Sequence, residues 1–158
     1  MFILLVSDTH GNISEFRRVL SNYSNLDMVI HLGDYAKDVV KMQKEFSNIM
    51  FEYVPGNNDW SCQEPNDKIL DLCGKRVFIT HGHKYRVKSG VDSLTKKAKE
   101  QHVDAAFFGH THLADEFSQD GILYANPGSL GLKSLYQGST FIEAKIDQDI
   151  SLKFRGLP

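Results

Sequence analysis

The residues best equipped for chemistry are His110 and His112, carried in Phe107-Phe108-Gly109-His110-Thr111-His112, where an apolar run ends in a glycine and then offers two imidazoles. In an extended backbone, residues i and i+2 leave the same face about 6.6 Å apart, so both rings reach one place. Two metal ions about 3.5 to 4 Å apart, each about 2.1 Å from an imidazole nitrogen, fit between such rings. One ion taking both rings also fits, as does a strand end with two solvated histidines.

Four further polar clusters bear on that choice. Asp8-Thr9-His10, Gly33-Asp34, Gly56-Asn57-Asn58-Asp59 and His81-Gly82-His83 each follow an apolar run. Read singly they are a helix-start turn, two plain turns and a pair of surface histidines. Read together with His110 and His112 they are five strand ends that select Asp, His and Asn. In layered α/β sheets, ligands bind at the carboxyl ends of strands, so groups far apart in sequence can converge. Imidazole, carboxylate and amide oxygen form a mixed N/O set suited to Mn, Fe, Zn or Ni ions rather than Ca or Mg alone. The glycines at 33, 56 and 109 either let backbone and metal approach closely or serve as ordinary turn glycines.

The elements that must position these groups alternate. Residues 2 to 7 read as a buried strand, and Asn12-Ile13-Ser14-Glu15 as an N-cap with an acid three residues on, opening a helix to about Asn22. Met28 to Leu32 is a second strand, Val39, Val40 and Met42 lie on a second helix with Phe46 near its end, and Met50 to Val54 is a third strand. This βαβαβ order predicts a parallel or mixed sheet in a layered α/β fold. The second half changes rhythm: Ile69 to Cys73 and Val77 to Thr80 flank Gly74-Lys75-Arg76 as a hairpin. Ser89-Gly90-Val91-Asp92 reads as a capped start for a helix bearing Val91, Leu94 and Ala98, and Val103 to Phe108 as the next strand. Leu123-Tyr124-Ala125 then precedes Asn126-Pro127-Gly128-Ser129, and Thr140 to Ile146 and Ile150 to Phe154 form a final hairpin around residues 147–149.

Composition bounds the rest. At 158 residues the chain has the size of one domain, residues 1–158, able to bury a proper core. A hydrophobic content of 41% with a net charge of -2 describes a globular protein without the strongly basic balance that polymeric nucleic acid favours. Met1 to Val6 lacks a basic leader and meets Ser7-Asp8, so it reads as a strand and not a targeting segment, and no stretch is long enough to span a bilayer. With no export signal and only Cys62 and Cys73, whose spacing matches no paired-cysteine zinc motif, the expected setting is the reducing cytoplasm. His31, inside a strand, reads as a hydrogen-bonded core residue. Lys84, Arg86 and Lys88 around Tyr85, and Arg17 and Arg18, read as solvated surface, with guidance of an anionic substrate as the alternative.

Taken as one signature, the clusters resemble the calcineurin-like metallophosphoesterase superfamily. Its pattern runs Asp-x-His, Gly-Asp, Gly-Asn-His-Asp/Glu, a later His and Gly-His-x-His, an order matched here over residues 8 to 112. The short chain, His81-Gly82-His83 and Asn126-Pro127-Gly128-Ser129 are most similar to its small single-domain phosphodiesterase subgroup. The resemblance implies an α/β fold, a four-layer αββα sandwich with two mixed β-sheets and a metal site at the C-terminal ends of the strands. Position by position it makes Asp8, His10 and His112 ligands of one metal, Asn57, His81 and His110 ligands of a second, and Asp34 the bridge. Two divalent ions are implied, Mn2+ first, with Ni2+, Fe2+ or Zn2+ as alternatives. His83 is placed at the substrate or behind a ligand and not on a metal.

A hydroxide shared by two such ions is a nucleophile at neutral pH, and the ions stabilise charge on the phosphorus oxygens. Two divalent ions less Asp8, Asp34 and hydroxide leave a charge of about +1, which attracts a diester monoanion. Hydrolysis of a small phosphodiester is the expected reaction, with a phosphomonoester as the alternative that the charge also admits. The chain departs from the pattern at Asn58, where many members carry the histidine thought to protonate the leaving group, backed by an acid such as Asp59. An amide cannot act as a general acid. The expectation is a preference for leaving groups that need little protonation, with Asn58 holding a phosphate oxygen and Asp59 orienting the loop. His83 or a metal-bound water is the alternative proton source.

Two rivals follow from the same resemblance. One is a non-enzymatic protein-interaction scaffold, since it also reaches a retromer subunit of this fold; missing ligands would be its mark, and all seven candidates are present. The other is a metal-dependent nuclease, whose relatives carry extra domains or a basic channel that this chain lacks. Neither a nucleic-acid polymer nor a membrane is expected as a partner. A homodimer is compatible with the sequence, but no stripe of residues specifies an interface.

Overall fold

The computed structural model describes residues 1–132 and 138–157. β1 (Phe2–Val6), α1 (Ile13–Ser21), β2 (Met28–His31), α2 (Ala36–Glu45) and β3 (Met50–Tyr53) alternate, and the three strands pair in parallel. β4 (Asp67–Leu72) and β5 (Lys75–Thr80) form a hairpin, and α3 (Asp92–Glu100) leads to β6 (Ala105–Phe107), parallel to β5. β7 (Ala114–Gln119) and β8 (Ile122–Pro127), then β9 (Ser139–Ile146) and β10 (Ile150–Leu157), are two further antiparallel pairs. The strands make two mixed five-stranded sheets, ordered β10-β9-β1-β2-β3 and β4-β5-β6-β8-β7.

The layering follows from the period of two along each strand. Ile3 and Leu5 of β1 face the space between the sheets, with Ile30, Ile79, Phe107 and Ile142. Leu4 and Val6, pointing the other way, pack on Phe16, Val19 and Leu20 of α1 and on Val39 and Met42 of α2. In the second sheet Ala105 and Phe107 join the central layer, while Ala106 faces Leu94 and Ala98 of α3. Three apolar layers thus separate four layers of structure, an αββα sandwich. Each fully buried aliphatic side chain contributes about 1.5–3 kcal/mol, so a strand buried on both faces anchors two layers at once.

Local signals placed most elements. The Asn12 side chain accepts the Glu15 N–H at 3.4 Å and caps α1. Leu72 pairs with Lys75 across Cys73 and Gly74, both at positive φ (54° and 80°), which is the geometry a two-residue hairpin turn needs. Three expectations need correction. α3 begins at Asp92 after Val91 with no side-chain cap; Ser89 instead ends a short 3₁₀ turn. The expected strand from Val103 to Phe108 spans only Ala105–Phe107, its flanking residues packing in the α3 layer. β7 lies outside the sequence expectations, because only Ala114 and Phe117 are partly covered and the other four residues are polar and exposed, as suits an edge strand. Its signal is the turn Asp120-Gly121, with φ of 54° and 78°. Among the described residues no helix is long and apolar enough to cross a membrane.

Candidate metal centre

The parallel strands deliver the polar clusters to one edge of the sandwich. Asp8 and His10 follow β1, Asp34 follows β2, Asn57 follows β3, His81 follows β5, and His110 and His112 follow β6. The loops of the two sheets interlock there: the His81 Nδ1–H donates to the Leu32 carbonyl at 2.6 Å, a pairing that leaves Nε2 as the free lone pair.

Four side chains close into a group, with one ligand atom each of Asp8, His10, Asp34 and His112 within 4.8 Å of the others. His112 Nε2 stands 3.0 Å from Asp8 Oδ1, and His10 Nε2 stands 3.7 Å from both Asp8 Oδ1 and Asp34 Oδ2. On the other side of Asp34, His81 Nε2 lies 3.6 Å from Asp34 Oδ1 and 3.2 Å from Asn57 Oδ1. The His110 ring packs 5.0 Å from the His81 ring, centroid to centroid. All seven side chains named from the sequence therefore gather in one place. The two oxygens of Asp34 face its two subsets.

The donor set fits a cation. Asp8 is fully buried; its Oδ2 accepts from the Ser7 hydroxyl and the His110 N–H, but its Oδ1 has no hydrogen-bond partner. A buried anionic oxygen left unpaired costs several kcal/mol, and this one is ringed by imidazole nitrogens of His10, His112 and His81. Burial pushes the Asp8 carboxyl up, but the imidazoles of His10, His112 and His81 and the Ser7 hydroxyl outweigh it and hold it well below the usual carboxylate range. Contact with Asp8 pushes His10 up against its own burial. Burial, His81 and Lys88 push His110 down to about 4, and burial, His81 and Lys84 push His83 down. The ring of His110 is thus a neutral donor at neutral pH, as ligation requires.

The backbone departs from the extended geometry assumed for the histidine pair. His110 and His112 have φ of 71° and 61°, and Asp8, His10 and Asp34 also sit at positive φ, 53°, 47° and 61°. The two rings therefore diverge through a left-handed turn and not by the pleat of a strand. Such residues cost on the order of 1 kcal/mol each and persist only where surrounding contacts fix them. Asp38 supplies one such contact: its Oδ2 accepts the Thr9 hydroxyl and the Gly11 N–H, both at 2.9 Å. Asn126 supplies another, donating to the Gly109 carbonyl at 2.9 Å, and the Ser129 hydroxyl donates to the Asp8 carbonyl at 2.9 Å. His31 is a core residue, as the sequence suggested: Nδ1 accepts the Gly33 N–H, Nε2 meets the Thr9 hydroxyl, and burial pushes it down to about 4.

The glycines prove to clear room for ligand side chains. A Cβ on Gly33 would stand 2.6 Å from His81 Nδ1, and one on Gly109 would collide with the Ser7 hydroxyl beside Asp8. Asp59 is turned away from the cluster; its oxygens accept the N–H of Ala36 at the start of α2 (2.8 Å) and of Gly56 (2.9 Å). Asn58 donates from its backbone to Asp34 Oδ1 (2.9 Å) and from its side chain to Asp34 Oδ2 (2.6 Å). The His83 ring lies 5.3 Å from His81 and 6.1 Å from His110, with Nδ1 buried and unpartnered. The Tyr85 hydroxyl donates to Asp67, and Arg17 and Arg18 pair with Glu45 and Glu15, so the basic loop's aromatic and the α1 arginines are engaged elsewhere. The sequence does not mark Asp38 or Ser7, and it marks Asn126 and Ser129 only as part of the Asn126-Pro127-Gly128-Ser129 motif, without these roles. Asp38 looks like an ordinary first-turn acid, and its 1% exposure shows only once the layers are assembled.

This arrangement of strand-end loops on an αββα sandwich has counterparts. Residues 1–149 match the calcineurin-like phosphoesterase superfamily domain, and the chain belongs to that superfamily of metal-dependent phosphoester hydrolases. It is 26% identical over 150 residues to the Bacillus subtilis (strain 168) protein named "Probable metallophosphoesterase YsnB", covering 94% of this chain and 86% of the relative. It is 31% identical over 146 residues to "Phosphodiesterase MJ0936" of Methanocaldococcus jannaschii, covering 81% of this chain and 83% of the relative. Wild-type Vps29 of Entamoeba histolytica, complexed with Zn2+, superposes with a TM-score of 0.77 over 98% of both chains; at 17% identity that likeness concerns the fold alone.

Proposed function

We propose that residues 1–158 act as one domain, a dinuclear phosphodiesterase that hydrolyses small phosphodiesters. The observation that carries this reading is Asp34, whose Oδ2 faces His10 at 3.7 Å while its Oδ1 faces His81 at 3.6 Å, the disposition a bridging carboxylate needs. Asp8, His10 and His112 would hold one divalent ion, and Asn57, His81 and His110 the other. Bound there, the ions supply an acidified water and neutralise charge on the phosphate oxygens. The mixed nitrogen and oxygen donors suit Mn2+, Ni2+, Fe2+ or Zn2+ alike, and the family resemblance puts Mn2+ first.

The remaining roles belong to the chain's own groups. The Leu32 carbonyl fixes the His81 tautomer, so Nε2 stays available. Asn58 has two side-chain N–H donors; one holds Asp34 Oδ2, which leaves the other for a phosphate oxygen. Asp59 positions that loop by fastening Gly56 to the start of α2. His83, with an unpartnered Nδ1 beside His81 and His110, faces the substrate. Because Asn58 cannot donate a proton as an acid, esters with good leaving groups are preferred. Asn58→His is expected to raise turnover of alkyl esters relative to aryl ones, and an unchanged ratio would argue against this account of the position. Cys62 and Cys73 are free, which accords with a cytoplasmic setting.

The test is hydrolysis of bis(p-nitrophenyl) phosphate by metal-stripped protein titrated with Mn2+, beside Asp34→Asn. Activity rising to a plateau near two equivalents and lost in the variant supports the proposal. Metal binding with no turnover of this diester or of a phosphomonoester would replace it with the scaffold reading.

A further inference from the structure

A groove of about 460 Å³ borders the centre, lined among others by Tyr35, Lys37, Tyr53, Asn58, Trp60 and Glu64. Its volume falls within the range of about 300–1,000 Å³ typical of small-molecule sites. It is continuous with the candidate metal centre at two points. The Tyr35 ring lies 5.4 Å from the His10 ring, and Asn58 both lines the groove and donates to Asp34.

Three aromatic side chains in one groove next to charged chemistry need an explanation, and Trp60 needs it most. It is 94% exposed, two residues beyond Asn58, on a loop that Asp59 pins to α2. An indole with almost none of its surface covered contributes nothing to the core, and both faces of its ring are open to stacking. Tyr35 is held at φ 72°, a conformation uncommon for an aromatic residue, and this places its ring at the mouth of the groove beside His10. Lys37 Nζ stands 4.7 Å over the Tyr35 ring and, among the described residues, has no carboxylate partner, whereas Lys68 beside Tyr53 is neutralised by Glu52 and Glu64. The groove therefore offers aromatic walls and one uncompensated cation.

We infer that this groove is a substrate subsite for a planar heteroaromatic group, so that the diester turned over at the centre is a nucleotide-type ester whose base stacks between Tyr35 and Trp60. The inference rests on the phosphodiesterase reading and adds the substrate class. Asn58 joins the two parts of such a substrate, with its phosphate at Asp34 and its base in the groove. Lys37 strengthens the preference for an anionic ester over a neutral nucleoside.

Trp60 is the sole tryptophan, so tryptophan emission, excited to the red of the tyrosine band, reports on this position alone. The protein is titrated with the methyl ester of adenosine 5′-monophosphate and, separately, with dimethyl phosphate, which carries the same charge and no ring. Emission is read directly, and affinity is measured independently by calorimetry. Saturable quenching by the nucleotide ester only, and an affinity about tenfold weaker in Trp60→Ala, are expected, since stacking on one aromatic ring is worth roughly that much or more. Trp60→Ala removes an exposed side chain and leaves the fold unaffected, and Trp60→Phe is expected to restore affinity. Equal affinity of the two esters, or a nucleotide affinity unchanged in Trp60→Ala, overturns the subsite while hydrolysis of bis(p-nitrophenyl) phosphate persists. Failure of the phosphodiesterase reading appears separately, as absence of that hydrolysis with every metal tried.

Discussion

The two halves of the candidate centre are prepared to different degrees. On the Asp8 side the carboxylates are buried, and the loop is fastened from behind by Ser7, Ser129 and the Thr9–Asp38 pair. On the His81 side one ring is fixed by the Leu32 carbonyl, but Asn57 is exposed, and among the described residues the His110 ring makes no hydrogen bond. A site whose ligands are already held loses less freedom when it closes on an ion. On the proposed two-ion reading, the difference teaches that more contacts hold the Asp8 loop from behind than hold Asn57 and His110, so the Asp8 half is expected to bind its metal more tightly.

The largest effect comes from breaking the prepared half. Asp8→Asn removes the unpartnered oxygen ringed by three imidazoles and is expected to abolish tight binding of both ions, with hydrolysis falling about 10³-fold. His110→Gln touches only the open half and should leave one ion bound after dialysis, with a loss of about 10²-fold. Metal counting on the dialysed proteins checks both. One ion retained by Asp8→Asn and none by His110→Gln would reverse the order of the halves.

A steric contrast comes next. Gly33 at φ 98° lies against the His81 ring, whereas Gly121 at φ 78° has nothing within 4 Å of a built Cβ. Alanine at either position meets backbone strain of about 1–2 kcal/mol. Only Gly33→Ala must also move a ring that is itself clamped to Leu32, raising its total to about 3–4 kcal/mol. Chemical denaturation of the two variants measures the gap. Equal destabilisation would mean that the close packing at His81 relaxes freely.

The same contrast governs what could be read before folding. The βαβαβ half, the hairpins at Gly74 and residues 147–149, and all seven candidate ligands are written in local patterns: buried runs, turn residues, and Asp or His at strand ends. What escaped depends on partners distant in sequence. β7 offers only Ala114 and Phe117, three positions apart, and no period of two, because an edge strand with little burial needs none. Asp38 resembles a solvated helix acid until the first loop folds over it, and the left-handed backbone at His110 is met by hydrogen bonds from distant partners, Asn126 of β8 to the Gly109 carbonyl and the His110 N–H to Asp8. Ligand identity is thus a local property here, and ligand orientation a tertiary one.

His31 offers a pH test of how well the prepared half is sealed. Its folded value of about 4 lies below the ordinary value of 6.5, and burial is the main cause. Between these values the unfolded chain takes up a proton that the folded chain refuses, so stability falls with falling pH across that window. The penalty is absent above about pH 6.5 and complete below about pH 4, reaching on the order of 3 kcal/mol. Denaturation of metal-free protein from pH 7 to 4, compared with His31→Gln, isolates it. A variant with the same slope as the parent would show that water reaches the His31 ring.

The smallest and most discriminating change is at Asp38, which touches neither a candidate ligand's ring nor its carboxylate. Asp38→Ala leaves the Thr9 hydroxyl and the Gly11 N–H without their shared acceptor, on either side of His10. Partners that orient a ligand are worth about 10–100-fold in metal affinity, and that is the loss expected for Mn2+. Asp38→Asn keeps an oxygen in the same place and should recover most of it, since the two bonds need an acceptor more than they need a charge. If Asp38 merely supported α2, both variants would lower stability and leave Mn2+ affinity alone. If its charge acted on the ions directly, Asp38→Asn would be as weak as Asp38→Ala. Calorimetric Mn2+ titrations of the three proteins separate these outcomes, and only recovery by asparagine identifies the Asp8 half as held by shape and not by charge.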